Sequence, residues 1–379
     1  MTKRERLLAT LNGRPVDRPA VSFYEIGAKK LDHYDPDPFN VYNDPSWLPL
    51  IRLAEEETDI IRILSPGVKY KSPGVRGEYC SVEEYIEDGS KFYRTTIKVG
   101  AKTLTSLVRR DQNVDTLWTV EHLLKDTDDL NAFLQLPDEY FTADPDVTSL
   151  IEAEDEVGDR GIVMVDIADP LCEAAGLFDM ADYTIIALTE PELFHRLLEK
   201  ISQPIYNFAS QVSAAFPGHG WRIYGPEYAS EPYLPPRLFE EYVVRYSSPI
   251  VNIIHNNGGF ARIHSHGRLR NILPHIVKMQ ADGLDPIEPP DQGDVELSYV
   301  RREYGKDLVL FGNLEATDLE NMETSEFAKV VRKTLEDGTA GDGRGFVLMP
   351  SASPYGRTIS ARTMANYRTM VELASNWSV

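Results

Sequence analysis

Cysteine is almost missing from this 379-residue chain; Cys80 and Cys172 are the only two. That excludes a disulfide scaffold and a metal centre built mainly from thiolates, and it suits a reducing cytoplasm. Basic residues are also scarce, with 39 Lys and Arg against 60 Asp and Glu for a formal net charge of −21. Nucleic acids and anionic membranes both demand a basic face, so neither is expected as a partner. No run approaches the ~20 apolar residues that span a bilayer. The N-terminal MTKRERLLATLNG reads as a charged amphipathic helix and not as a signal peptide. Internal repeats and low-complexity linkers are missing as well. Gly-x-Ser-x-Gly does not occur, which argues against a hydrolase nucleophile elbow. The glycine cluster at 341–345 precedes an apolar run, whereas a phosphate loop must follow a strand and open a helix. Cys172 falls in a helix-like segment away from any strand-end histidine and reads as packing. Lys69 and Lys98 are not at strand ends, so no Schiff-base lysine suggests itself.

What remains is the composition of an ordinary globular protein, 42% hydrophobic and 26% charged. Thr2-x-x-Glu5 is a capping box, and Leu7, Leu8 and Leu11 follow at helical spacing until Gly13 and Pro15. Eight short apolar runs then alternate with helical periods, at 20–26, 60–64, 162–167, 221–224, 260–264, 283–287, 308–311 and 346–349. Alternation of this kind implies parallel βα units, and eight is the number that closes a barrel. The expected fold class is therefore α/β, a single (β/α)8 TIM-type barrel over 1–379, with an open doubly wound sheet as the alternative. One stretch breaks the alternation. Residues 68–118 carry hairpin patterns, EDGSKFYRTTIKVG and AKTLTSLVRR, with Asp88-Gly89 as a turn signal. This predicts an inserted antiparallel β-hairpin flap, serving as embellishment, as a lid, or as a homodimer contact.

A barrel places its chemistry at the C-terminal ends of its strands. Those ends hold Glu25, Ser65, Asp166 and Asp169, Glu227, His264 and His266, Glu288, Asn313 and Glu315, and Ser351 and Ser353. The spacing His264-x-His266 puts both imidazoles on one face of the fifth strand. Two neutral imidazoles plus a carboxylate suit a catalytic divalent metal, zinc above all, and Glu227 on the adjacent strand is the best-placed carboxylate. Barrel amidohydrolases also use His-x-His, but on the first strand, where this chain has Tyr24-Glu25. Glu25, Asp166 and Glu288 are the candidate acids and bases. Arg357, beyond the eighth strand, is the candidate clamp for a substrate anion; Tyr228, Tyr355 and Asn313 are candidate walls for a small-molecule substrate.

Several stretches carry a family likeness: RERLLATLNGRPVDRPAV, TLWTVEHLLKDTDDL, IHSHGRLRNILPHIVKMQADGLDPIEP, and LFGNLEATDLENM followed by GRGFVLMPSAS. Together they resemble the uroporphyrinogen decarboxylase-like superfamily, over nearly the whole chain. That resemblance implies a distorted (β/α)8 barrel and one of two chemistries. True uroporphyrinogen decarboxylases remove acetate carboxyls from a tetrapyrrole without a cofactor and carry an arginine-rich segment just after the first strand. Here that place reads YEIGAKK at 24–30, without arginine. The other branch comprises zinc-dependent methyltransferases that move methyl groups between a corrinoid protein and a thiol, or demethylate small compounds. Its zinc ligands are a His-x-Cys on the fifth strand and a Cys after the eighth. This chain has His264-x-His266 and Ser351-Ala-Ser353 in those places. The resemblance thus implies a metal-dependent, methyltransferase-like enzyme, with a corrinoid protein as a partner. A tetrapyrrole carboxy-lyase is the alternative, with Asp166 or Asp169 steering a protonated intermediate. A catalytically silent corrinoid- or tetrapyrrole-binding barrel is the third reading.

Overall fold

The computed structural model describes every residue except 25, 28–30, 71, 72 and 379. The helix Lys3–Leu11 begins at the capping box: Glu5 N donates to Thr2 Oγ1 at 3.1 Å, and Thr2 N donates to Glu5 Oε2 at 2.8 Å. Its buried Leu7 and Leu11 close the base of the sheet against Ala20, Ile61, Ile162, Val309 and Val347.

The eight apolar runs form one parallel sheet: β1 Ala20–Val21, β2 Ile60–Leu64, β3 Gly161–Ala168, β4 Gly220–Tyr224, β5 Phe260–Ser265, β6 Gly283–Pro286, β7 Val309–Leu314 and β8 Phe346–Pro350. Their spatial order is β1-β8-β7-β6-β5-β4-β3-β2. That sequential curl is the order of a TIM-type barrel, whereas a doubly wound sheet reverses order at its middle. At the edges of the curl, Asp59 N donates to Val21 O at 2.7 Å, and Val21 N donates to Asp59 Oδ2 at 2.9 Å. The buried Asp59 carboxylate also accepts from Arg6 Nη1 at 2.6 Å and Arg18 Nη1 at 2.8 Å. A charge taken out of water is tolerated there because every lone pair finds a donor.

Period-two alternation sorts the strand residues. Ile61, Ile63, Ile162, Met164, Val309, Phe311, Val347 and Met349 fill the interior. Val163, Val165, Ile223, Ile263, Leu284, Leu310 and Leu348 pack outward in the larger core with the helices. Apolar layers therefore occupy the lower barrel, and polar side chains collect towards the C-terminal ends.

Between β2 and β3 the chain builds a four-stranded antiparallel sheet from Cys80–Glu87, Ser90–Val99, Lys102–Arg110 and Leu117–Glu121. Asp88 and Gly89 take φ of +49° and +80°, the left-handed pair that a two-residue type I′ turn requires. Ile97, Val99 and Leu104 sink into the main core, while Val82, Ile86, Leu117 and Trp118 stay exposed. This sheet abuts the loops that follow β1 and β8: Arg110 Nη2 donates to Phe39 O at 2.9 Å, and Val114 bridges to Gly356. No helix among the described residues is long and apolar enough to cross a membrane.

Candidate active site

Register sets the first part of the site. On β5, Arg262 and His264 share the inward face, and β6 places Asp285 directly opposite His264. The buried Asp285 accepts both arms of Arg262, Nε to Oδ1 and Nη2 to Oδ2, each at 2.5 Å. Its Oδ2 also lies 2.7 Å from His264 Nδ1. Burial pushes the Asp285 carboxyl up, but Arg262 and His264 outweigh it and hold the group well below the usual carboxylate range. Burial also lowers His264 to about 4, against the pull of Asp285 and with Arg222 adding to the drop. The ring is therefore neutral at pH 7. Its Nε2 faces the Tyr24 hydroxyl at 3.3 Å, and Arg222 donates to the same hydroxyl. Arg222 stands on β4 in register with Asp166 on β3 and grips it twice, at 2.7 and 3.0 Å.

The second part surrounds His266, whose ring stands edge-on to that of His264 with centroids 4.6 Å apart. Glu288 Oε1 lies 2.7 Å from His266 Nδ1, while Glu288 Oε2 accepts from Gly267 N at 2.6 Å. The chain turns into this position through Ile287 at φ +56°, a rare conformation for a β-branched residue and one found most often at functional sites. Burial opposes protonation of His266, but Glu288, Glu227 and Asp285 together raise its pKa. His266 Nε2 has no hydrogen-bond partner among the described residues. Glu227, in the turn after β4, and Glu315, just past β7, both feel the charges of His266 and Glu288. Burial raises both carboxyls, that of Glu315 to about 7 with Glu288 adding to the shift. Glu227 Oε2 and Glu315 Oε1 are buried without a hydrogen-bond partner among the described residues. Behind Glu227, the fully buried Asp169 caps the helix Pro170–Ala175 through Cys172 N at 2.6 Å and accepts from Ser247 Oγ at 3.2 Å. Burial, with Glu227 adding to it, pushes Asp169 up to about 8.

The residues expected from sequence meet different fates. Glu227, His264, His266 and Glu288 come together. Asp166 is committed to Arg222 and has become a positioning group. Arg357 is not at the mouth cluster, which corrects its expected role as an anion clamp. Its Nε donates to Gln112 O at 3.0 Å, its Nη1 to Asn43 Oδ1 at 3.0 Å, and its Nη2 to Gln112 O at 2.6 Å, so the guanidinium ties loops together. Asn313 also turns away: Gly312 at φ +146° breaks the strand alternation, and Asn313 Oδ1 accepts from Thr334 Oγ1 at 3.3 Å on the helix Thr324–Thr339. The Tyr228 ring packs edge-on against Tyr183, whose hydroxyl donates to Tyr228 O at 2.8 Å. Tyr355 is half exposed, its carbonyl accepting from Asp115 N. Glu25 lies outside the described residues. Sequence reasoning passed over Asp285, Tyr24 and Arg222, and noted Glu315 without assigning it a role. Opposite charges on consecutive strands were the available signal for Asp166–Arg222, which stand level, whereas Asp285 stands level with His264 and reaches Arg262 two positions away.

The metal expected on Glu227, His264 and His266 meets a mixed donor set. Each histidine has its Nδ1 against a carboxylate, as metal-bound imidazoles commonly do. Yet His264 Nε2 is turned to Tyr24 and the Arg222 cation, and no three His, Cys, Asp or Glu among the described residues are disposed to hold a metal. As the side chains stand, the residues do not fit that group.

Comparison with known proteins agrees with this architecture. No curated protein sequence matches the chain. Among solved structures, a methyltransferase from Methanosarcina mazei is similar at a TM-score of 0.60 and 15% identity, covering 99% of this chain and 98% of that one, a likeness of fold. A Bacteroidetes-affiliated GH5 cellulase (TM-score 0.32, 11% identity, 61% and 74% covered) and a Bacteroides ovatus GH5 xyloglucanase (0.29, 10%, 82% and 94%) are too distant to support an argument. Residues 120–377 match the model of the uroporphyrinogen decarboxylase (URO-D) family, well over half of the sequence, and the chain belongs to that family.

Proposed function

We propose that this protein is a methyl-transferring enzyme of the URO-D family, working at the mouth of a (β/α)8 barrel beside an antiparallel flap. Its methyl donor is a small methylated compound or a corrinoid-bound methyl group, and its acceptor is a thiol. The observation that carries the reading is that the arginines buried in the barrel interior are neutralised within the chain. Arg222 is held by Asp166 and Arg262 by Asp285, while Arg357 is spent on loops. A tetrapyrrole bearing many carboxylates needs several free cations, and none of these three is free. Around His266 stand carboxyls instead, the lowered Glu288 with the burial-raised Glu227 and Glu315 beside it. The Methanosarcina mazei protein of the same fold is a methyltransferase, which favours this chemistry over decarboxylation.

The chain's own residues supply proton handling. His266 presents Nε2 while Glu288 fixes its other nitrogen, the arrangement of a base held in one tautomer by a carboxylate. A thiol at Nε2 gives its proton to the ring, and Glu288 stabilises the imidazolium. The sulfur then forms its bond to the methyl carbon as the bond to the donor breaks, and the electron pair stays with the leaving atom. Neutral His264, clamped by Asp285 and Tyr24, walls the site without competing for the proton. No step is assigned to a metal, because the donor set does not fit one.

The test is methyl transfer from methylcobalamin to 2-mercaptoethanol by purified protein. Replacing His266 by Ala should lower the rate by about 10²–10⁴, the usual worth of a general base, and Glu288→Gln should lower it less. Conversion of uroporphyrinogen to coproporphyrinogen by the unmodified protein would overturn the reading.

A further inference from the structure

Outside the barrel, between the antiparallel sheet and the long helix Pro191–Ala215, lies a cavity of about 360 Å³. Ile97, Leu123, Phe133, Phe141, Ile201 and Ile205 make its walls predominantly apolar. Its size is at the lower end of small-molecule pockets, which run to ~300–1,000 Å³ and set a few polar groups into an apolar lining.

Besides Tyr70 and Tyr140, one basic and one acidic side chain line this cavity, and neither has a salt bridge among the described residues. Arg76 lies between two aromatic rings, its guanidinium carbon 4.5 Å from the Tyr70 centroid and 4.6 Å from that of Tyr140. Its hydrogen bond is one long contact from Nη1 to Tyr140 O, at 3.5 Å. Stacking of this kind orients the planar fork while leaving its edge donors available. The second group is Glu173, in the helix after β3, whose carboxyl has no hydrogen bond in the described structure. Burial of the carboxyl raises its pKa, although the residue as a whole is exposed. The cavity therefore holds two unlike groups: an unpaired cation stacked on Tyr70, and a carboxyl close enough to Tyr224 to affect its ionisation.

We propose that this cavity is a binding site for a planar aromatic monocarboxylate of one or two rings, with its carboxylate on Arg76 and its ring between Phe133, Tyr140 and Phe141. A cationic ligand would face Arg76 with the single carboxyl of Glu173 to offset it, and a polyanion would find a single guanidinium. A ligand with one anionic end and a flat apolar body satisfies both, since a guanidinium pairs a carboxylate bidentately and aromatic walls favour an aromatic guest. The proposal stands apart from the methyl-transfer reading, because its test reads binding alone.

The experiment is a titration of the full-length protein with 2-naphthoate, 2-naphthamide and 2-naphthylmethylammonium, followed by calorimetry. Naphthoate should bind one per chain and more tightly than the amide. Arg76→Met should weaken naphthoate by at least about tenfold and leave the amide unchanged, since a hydrogen bond to a charged group is what it removes. Ile205→Trp, which fills the cavity, should abolish both. Arg76 lies on a short, partly exposed helix, so its variant remains decisive if the tryptophan variant fails to fold. The proposal is overturned if Arg76→Met leaves naphthoate affinity within twofold, if the ammonium binds tightest, or if no saturable binding occurs at millimolar concentrations.

Discussion

The Arg262–Asp285 pair offers a sharp quantitative test, because both partners are fully buried and their surroundings are apolar. The guanidinium touches Met164 Sδ at 3.9 Å and Met349 Sδ at 4.0 Å, and lies 4.5 Å from the Phe311 ring centroid. Replacing Asp285 by Ala leaves this cation with sulfur and ring contacts alone, and removing one partner of a buried pair costs about 3–5 kcal/mol. Against a total stability of roughly 5–15 kcal/mol, that is a large share. Arg262→Met leaves the Asp285 carboxylate with only His264, so a loss of similar size is expected. The double variant removes both charges from a pocket already lined by methionine and phenylalanine. Its cost should fall to about 1–2 kcal/mol, chiefly the His264 hydrogen bond and a small void. Urea unfolding of the three variants measures this directly, as a favourable coupling of about 3 kcal/mol or more in the double-mutant cycle. Additive single losses, or an Asp285→Ala cost under about 1 kcal/mol, would refute the account of a pair buried at the expense of its own desolvation.

Asp169 should impose a pH dependence. Its folded pKa of about 8 lies far above the ordinary 3.8, so between those values the native state keeps a proton that the unfolded chain has released. Stability from this group is therefore present in full below pH 4, falls as the pH rises, and stops falling above pH 8. Asp169→Asn retains partners for Cys172 N and Ser247 Oγ but cannot ionise, so melting temperatures between pH 5 and 8 should decline less steeply than in the parent; equal slopes would contradict this. Elemental analysis of the purified protein should find no stoichiometric zinc, and about one zinc per chain, lost on His266→Ala, would restore the metal reading. Arg357→Met should loosen the loops around Asn43 and Gln112, seen as faster proteolysis there, while KM for the methyl donor stays unchanged; a selective rise in KM would return Arg357 to a substrate role.

Much of the architecture was legible because it depends on local pattern. Eight apolar runs bounded by turn residues became eight strands, and Asp88-Gly89 marked its hairpin because few dipeptides accept two positive φ angles. Where local pattern failed, register or a single backbone torsion was responsible. The run at 20–26 forms a strand only over Ala20–Val21. Asn313 was expected at the mouth as a strand-end residue, and the backbone at Gly312, φ +146°, turns it away. Asp285 was passed over although it touches both Arg262 and His264, because its partnership depends on how β6 slides against β5, which the sequence of neither strand encodes.

The same dependence explains why strand-end carboxylates that look equivalent in sequence do different chemistry. Asp166 sits level with Arg222 on the next strand, and Asp285, level with His264, reaches back two positions to Arg262; each is consumed by its arginine. Glu288 lies beyond the end of β6 and closes on a histidine and a backbone amide instead. Glu227 and Glu315 lie past the ends of β4 and β7, where no strand partner stands level with them, and each keeps a buried oxygen without a donor. Most other side chains with an unmatched buried atom satisfy a second atom of the same group, as Arg62, Arg110, Glu154 and Asn366 do. Glu227 makes no hydrogen bond to another side chain, and Glu315 makes a long one to Ser351 at 3.4 Å. Each unmatched acceptor costs about 1–3 kcal/mol, and both flank His266, whose Nε2 has no hydrogen-bond partner among the described residues. A cost concentrated around a poised base is what a site awaiting the donors of its substrate would carry.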